Sequence, residues 1–281
     1  MSSLSYLRRR AINGLMLVLS YGSALLGVAM LLLILLYTVG RGAAAINWDF
    51  FVRLPRPPGE TGGGIANAIV GSFIVVGVAS AMAIPVGIMA GIYLSEFGRG
   101  RFASVVRYFA DVLNGIPSIV AGIVAYAIVV LPMHGFSAFS GGVALAILML
   151  PIITRTSEEL LKTVPGTIRE AALALGIPQW KVTIFVVLRT ALTGIITGVM
   201  LAVARVGGET APLLFTAFNN SFLSLRLDQP ISTMTVLIYN YASSPYRDWN
   251  EIAWGAAFVL IAIVLIVNVV SKLFTKTKYA L

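Results

Sequence analysis

The sequence predicts an all-α, polytopic membrane protein with about six transmembrane helices. Charge is scarce, the apolar runs are long, and basic residues are divided unevenly between the segments that join those runs. Only 11% of the 281 residues are charged, against roughly a quarter in a soluble domain, so most of the chain faces something other than water. Uncharged stretches of about 20 residues match the hydrocarbon thickness of a bilayer at helical rise. A net charge of +9, which in a soluble protein points to nucleic acid, here reads first as membrane orientation. With no Cys and the single His134, disulfides, thiol catalysis and His- or Cys-rich metal sites are excluded within one chain.

The N-terminal tail, residues 1–14, carries Arg8, Arg9 and Arg10, and residues 15–281 read as one transmembrane domain. The run Leu15–Val39 is far longer than the roughly 7–15-residue core of a secretory signal. It predicts an uncleaved first membrane helix, despite the small residues Ala43, Ala44 and Ala45 beyond it. Five further spans follow at Ile65–Leu94, Val105–Leu131, Phe136–Thr154, Thr183–Val206 and Ile252–Leu273, the fourth only marginally long. Pro85, Pro117, Pro132 and Pro151 fall in or beside them, as membrane helices tolerate. Gly87 with Gly91, and Gly194 with Gly198, predict close helix packing.

With the N-terminus placed inside, 14 of the 20 basic residues lie on the inner side and 5 on the outer, Arg205 being unassigned. That bias predicts both termini in the cytoplasm. The outer connections are about 41–64, with Pro55, Pro57, Pro58 and Gly62 to Gly64, and about 217–250. The second holds Phe218, Phe222, Tyr239, Tyr241, Tyr246 and Trp249, which suit an interfacial aromatic belt or a docking surface.

The inner connection, about 155–189, is dense in charge and contains a well-delimited short helix. Pro165-Gly166 breaks what precedes it, and Thr167 with Glu170 forms the pattern of a capping box. Gly176 suits the left-handed closing position, and Pro178 prevents continuation. The expected helix, Ile168–Leu175, is only ~12 Å long. It is too short to span and marginal alone, and Ala171 and Ala172 give it a small face. It is either a plain surface turn or a knob for a cytoplasmic partner.

The stretch Glu170-Ala171-Ala172, three residues, then Gly176, with Val186 and Leu188 after it, resembles the EAA loop of ABC importer permeases. It departs at Arg189, where that family carries Pro. The segment Gly207-Gly208-Glu209-Thr210-Ala211-Pro212-Leu213-Leu214 resembles phosphate importer permeases of the PstA type. So do Gly63 to Ser72 and Gly115-Ile116-Pro117-Ser118-Ile119-Val120, and the likeness runs along nearly the whole chain. It implies a type I, MetI-like permease fold with cytoplasmic coupling helices, in the cytoplasmic (inner) membrane. Thr167, Glu170, Ala171, Ala172 and Gly176 would then couple to an ATPase. The implied partners are a PstC-like permease in a heterodimer, two PstB-like ATPases binding ATP and Mg, and an outer PstS-like phosphate-binding protein. Membrane lipid is implied too; nucleic acid is not.

The chain has no G-x-x-x-x-G-K-[ST] loop, so ATP that drives it is bound elsewhere, and no cofactor or metal is expected in this chain. It has no G-x-S-x-G elbow or H-E-x-x-H pair either, which leaves a membrane enzyme without a catalytic constellation. The alternatives are a self-sufficient secondary transporter or channel, which needs midplane coupling charges and repeats, and a permease for another oxyanion. Arg205 and Glu209 stand four residues apart, on one face if the fifth helix continues past Gly207-Gly208. Counted from Thr183 they fall near the outer boundary. They read either as a structural ion pair at that edge or, with Thr210, as a charged gate on a phosphate path, for which the Arg fork is suited.

Overall fold

The computed structural model describes residues 3–60 and 62–276, and all regular structure among them is helical. Helix α1 covers Ser3–Gly42, and the short α2, Trp48–Val52, starts on the Asn47 side chain, which accepts from the Phe50 amide. Helix α3, Ala66–Ile92, is followed by a π-helical turn, Tyr93–Phe97. Then come α4, Arg101–Gly115, and α5, Ser118–Ala125, which continues through a π-helical turn to Met133. Helix α6, Ala138–Lys162, is capped by a Ser137–Ser140 capping box. The short α7 is Gly166–Ala174, and α8, Leu188–Val206, is reached through helical turns from Gln179. Helices α9, Ala211–Leu214, α10, Met234–Ala242, and α11, Arg247–Lys276, complete the chain.

Five helices are long and apolar enough to cross a membrane by themselves. The expected third span is not one rod: Arg101–Gly115 and Ser118–Met133 meet at 108°, and only together do they make a sixth. Pro117 causes the break. It has no N–H to continue the ladder, and it drives Ile116 to an extended ψ of 134°.

The bundle is built on α6, the most enclosed span. Along α3 the buried residues Gly71, Val75, Ala79, Ala83, Gly87 and Gly91 recur every fourth position. They form a ridge of small side chains against α6, and small residues let membrane helices approach closely. Helix α8 runs antiparallel to α6 on another side, with Gly194 against Leu160 and Gly198 against Thr156. At one end of the bundle α10 and α11 pack with Phe50, Ile65 and Ala68. At the other, α7 closes over Leu161, Val164, Val182 and Val187. The segment 217–250 is therefore not loop throughout. Met234 donates its amide to Ser72 Oγ at 2.8 Å, so α10 starts inside the bundle and runs back out. The region 155–189 likewise begins in helix, since α6 reaches Lys162. Of the basic residues assigned to the C-terminal tail, Lys278 lies outside the described residues.

A Cβ placed on Gly91 falls 2.5 Å from Ser157 Cβ and 2.9 Å from the Thr154 carbonyl, whereas one on Gly77 meets nothing within 4 Å. Gly91→Ala is expected to destabilise the bundle by about 1–3 kcal/mol, and Gly77→Ala to leave it unchanged. Thermal unfolding in detergent checks this; equal midpoints for the two variants refute the close α3–α6 seam.

Candidate functional site

The short helix expected from the sequence is α7, which starts two residues and ends one residue earlier than expected. Its N-cap is Pro165 and no side chain caps it. Because the chain enters the helix at Gly166, Thr167 sits within the first turn, and the Thr167–Glu170 capping box does not form. Gly176 takes φ +76° and its amide bonds the Leu173 carbonyl, closing the helix as expected. Ala172 packs inward with Leu161, Val164 and Val187. Thr167, Glu170 and Ala171 face out, as do the apolar side chains of Ile168, Leu173 and Leu175, the last 81% exposed.

Arg169 ties α7 to the rest. Its guanidinium bridges Glu96 at 2.8 Å, on the π-helical turn that ends α3, and donates to the Leu161 and Val164 carbonyls. Beside it lies a denser cluster that sequence reasoning missed. Glu158, with its side chain fully buried, accepts from Arg107 Nε at 2.6 Å, Lys162 Nζ at 2.6 Å and Arg155 Nη1 at 2.9 Å. Arg155 also reaches Asp111 at 2.9 Å, and Arg107 donates to the Leu94 carbonyl freed at the end of α3. The only sequence signal was the helical spacing of Arg155, Glu158 and Lys162. The cluster fastens α4 to α6 at two successive turns, Arg107 and Asp111.

At its other end α4 lines a cavity of about 210 Å³. The walls are Leu113, Asn114, Ile116, Pro117 and Ser118 at the α4–α5 break, Leu148 and Ile152 of α6, and Arg205 and Glu209. Helix α8 ends at Val206 and the chain turns at Gly207-Gly208. Arg205 and Glu209 therefore do not share a helix, yet they share this cavity. They form no ion pair among the described residues, which sets aside the structural pair. They do not lie at the outer edge either. The antiparallel register of α8 on α6 carries Arg205 level with Leu148 and Ile152, roughly 16 Å along α6 from its start. That is near mid-height. Thr210 does not line the cavity; it opens α9, and its carbonyl accepts from the Leu213 and Leu214 amides.

Irregular backbone at this depth is viable only where protein satisfies it. The Glu209 carbonyl accepts from Thr235 Oγ1 at 2.9 Å, and the Thr216 carbonyl from Ser140 Oγ and the Ser137 amide. The amino-terminal end of α5 opens at the cavity through Ser118, and Thr235, near the start of α10, bonds the Glu209 carbonyl, while the first amide of α10 is taken by Ser72. A side-chain guanidinium and a helix amino end together make a place for an anion. Among the described residues no group of three or more His, Asp or Glu could hold a metal ion. A larger cavity of about 510 Å³ lies at the α10–α11 end, walled by Pro55, Pro57, Phe222, Tyr241 and Trp249. There Asn67 Oδ1 and Ser232 Oγ are buried without a hydrogen bond.

Removing the Glu158 carboxylate strands three cations at one spot. Glu158→Ala is expected to cost about 3 kcal/mol, the lower end for a broken buried pair because Lys162 is half exposed. Asp228→Asn, which breaks the exposed Arg226 pair, is expected to leave the unfolding midpoint near that of the wild type. Detergent unfolding of both variants compares them, and an equal loss contradicts the clamp.

A family model described as the binding-protein-dependent transport system inner membrane component matches residues 83–277. Over 98% of both chains, the sequence is 44% identical to the phosphate transport system permease protein PstA of Haemophilus influenzae. It is 46% identical to the PstA protein of Xylella fastidiosa (strain Temecula1) over 94% of this chain and 92% of that one. The PstA 1 protein of Mycobacterium tuberculosis is 35% identical over 95% of this chain and 90% of its own. Among solved structures, an inward-facing MetNI methionine ABC transporter chain superposes with a TM-score of 0.65 at 15% identity, over 76% of this chain and 95% of that one. An amino acid ABC transporter gives 0.58 at 17% identity, over 76% and 93%; both show the fold alone. The chain therefore belongs to the family of binding-protein-dependent transport system inner membrane components and, within it, groups with the PstA permeases.

Proposed function

We propose that this chain is one permease subunit of an ATP-driven importer of inorganic phosphate in the cytoplasmic membrane, with both termini in the cytoplasm. The observation that carries the proposal is Arg205, without an ion pair among the described residues, at mid-height of the bundle in a cavity made by two helix breaks. An ionisable residue at this depth is costly, about 2.5–3.5 kcal/mol for Arg on insertion scales, and is functional by default. The PstA relatives, named for phosphate transport, support the substrate.

Arg205 presents two parallel N–H groups to phosphate oxygens, and the α5 amino end adds backbone donors. Glu209 shares the cavity, so its negative charge works against retention of the anion and favours release. Arg205 is exposed in the single chain. A PstC-like permease packed there closes the path in a heterodimer. A PstS-like protein delivers phosphate outside, where Trp249 and the Pro55–Pro58 loop offer a docking face.

Two PstB-like ATPases bind ATP and Mg and receive α7 through Thr167, Glu170, Ala171 and Leu175, with Ala172 and Gly176 holding its shape. Their closure moves α7, and the movement passes through Arg169 to Glu96 on α3, beside the Glu158 clamp on α4. Helix α4 carries it to Asn114 at the cavity. The chain itself performs no covalent chemistry; it supplies a two-state bundle that the ATPases bias.

ATP-dependent phosphate uptake into vesicles containing the whole complex tests the gate. Arg205→Gln is expected to lower uptake at least tenfold, as loss of a charged hydrogen-bonding partner does, with the complex still assembled. Arg205→Lys keeps the charge but loses the fork, and falls in between. Wild-type uptake by both variants rejects the role of Arg205, and arsenate or sulfate carried in preference to phosphate rejects the substrate.

A further inference from the structure

The outer segments carry five arginines, Arg41, Arg53, Arg56, Arg226 and Arg247. Arg53 pairs with Asp49 at 3.0 Å and Arg226 with Asp228 at 2.7 Å, while Arg56 lines the large cavity beside Trp249. Arg41 and Arg247 make no ion pair among the described residues. Although 206 positions apart, they line one cavity of about 450 Å³, between the end of α1 and the start of α11. Tyr37, Asn250, Glu251 and Trp254 complete its walls.

Two rulers place this cavity at the depth of lipid headgroups. Between Arg10 and Arg41 the chain has about 30 uncharged residues, ~45 Å of helix, which is a bilayer with its headgroup layers. Between Glu251 and Lys272 it has about 20, ~30 Å, the hydrocarbon core alone. Glu251 thus sits at the hydrocarbon boundary, with Arg247 one turn beyond it and Arg41 across the cleft. The aromatic rings agree. Arg41 lies 5.6 Å over the Tyr37 ring, and Tyr37 meets Trp254 edge-on at 5.2 Å, the pairing of amphipathic rings and cations found at membrane interfaces. Towards the bilayer centre the surface continues in the exposed Leu33 and Leu36 of α1, a track for acyl chains.

We propose that this cleft binds a phospholipid headgroup, with the phosphodiester between Arg41 and Arg247 and a headgroup amine at Glu251. The chemistry fits a zwitterionic, amine-bearing headgroup such as phosphoethanolamine: two guanidiniums for one phosphate and a carboxylate for the ammonium. Bound there, the lipid staples α1 to α11, adding to the close approach of Gly42 to Trp254 and Phe258 and to the Tyr37–Trp254 ring contact. The site is separate from Arg205 and does not depend on the substrate of transport.

Native mass spectrometry of the full-length chain, purified in mild detergent with its accompanying subunits, tests this with phosphatidylethanolamine, phosphatidylglycerol and inorganic phosphate as probes. One retained phosphatidylethanolamine is expected in the wild type, with affinity at least tenfold weaker in Arg41→Ala/Arg247→Ala. Glu251→Gln is expected to lose the preference over phosphatidylglycerol while still holding lipid. All three side chains are exposed, so the variants should unfold at the wild-type temperature. Equal lipid retention by the wild type and the double arginine variant overturns the proposal. Inorganic phosphate displacing the lipid at equal concentration overturns the assignment to lipid and leaves a free-anion site.

Discussion

Backbone polar groups cannot be left unpaired at hydrocarbon depth, and the arrangement of this chain follows from where it breaks that regularity. Three interruptions lie inside the bundle: Ile116-Pro117, Gly207-Gly208 and the approach to α10 through Ser232 and Thr233. The third is enclosed, with Ser232 and Thr233 buried against the α3–α6 pair, whereas Pro117 and Gly208 are exposed in the single chain, on the side where the cavity of Arg205 opens. Satisfying those segments takes polar side chains such as Ser72, Ser140 and Thr235. The break at Pro117 also leaves the amino end of α5 at the cavity. A polar, anion-favouring region at mid-height is thus a consequence of breaking helices where lipid cannot solvate them.

That region is mechanically connected to the surface that carries α7. Glu158 holds α4 by Arg107, and Arg155 holds it again by Asp111. A helix fixed at two successive turns moves as a rod, and the far end of this rod is Asn114, beside Arg205. The Arg169–Glu96 bridge brings α7 to the same end of the bundle. Arg169 holds Glu96 on the turn after α3, the same turn whose Leu94 carbonyl accepts from Arg107, so α7 and α4 are both tied to it, and the chain bends by 108° beyond α4.

The spans were legible in the sequence because a charge-free run of 20 residues has few other physical meanings. The delimited helix after Pro165 was legible too, through Gly176 and Pro178, although the capping pattern at Thr167 was not used. Three features were hidden. Proline in a membrane helix is compatible with a slight kink or a full break, and only the packing of α4 on α6 decides between them. Helix α10 was lost within a connection because nine residues are too few to read as a span. The depth of Arg205 could not be read by counting from Thr183, because the apolar run there does not begin at the membrane boundary: its first turns pack with Leu161, Val164 and Ala172 beneath α7. The Glu158 cluster was illegible for a related reason, since Arg107 and Asp111 reach it only through the fold. The fourth span looked marginal because it is the most enclosed helix, free to carry Ser140, Thr154, Ser157 and Glu158 out of contact with lipid.

The central claim is that the space between the two helix breaks lies on the path of the transported anion. Since the chain contains no cysteine, single replacements Asn114→Cys and Ser118→Cys can be probed in the assembled complex with a small hydrophilic methanethiosulfonate. Phe73→Cys, 63% exposed on the flank of α3, serves as the comparison. Both cavity positions are expected to react, phosphate is expected to slow their modification in a concentration-dependent way, and position 73 is expected to show no phosphate protection. Cavity positions that stay unmodified through the ATPase cycle, or that react at one rate with and without phosphate, would contradict the central claim.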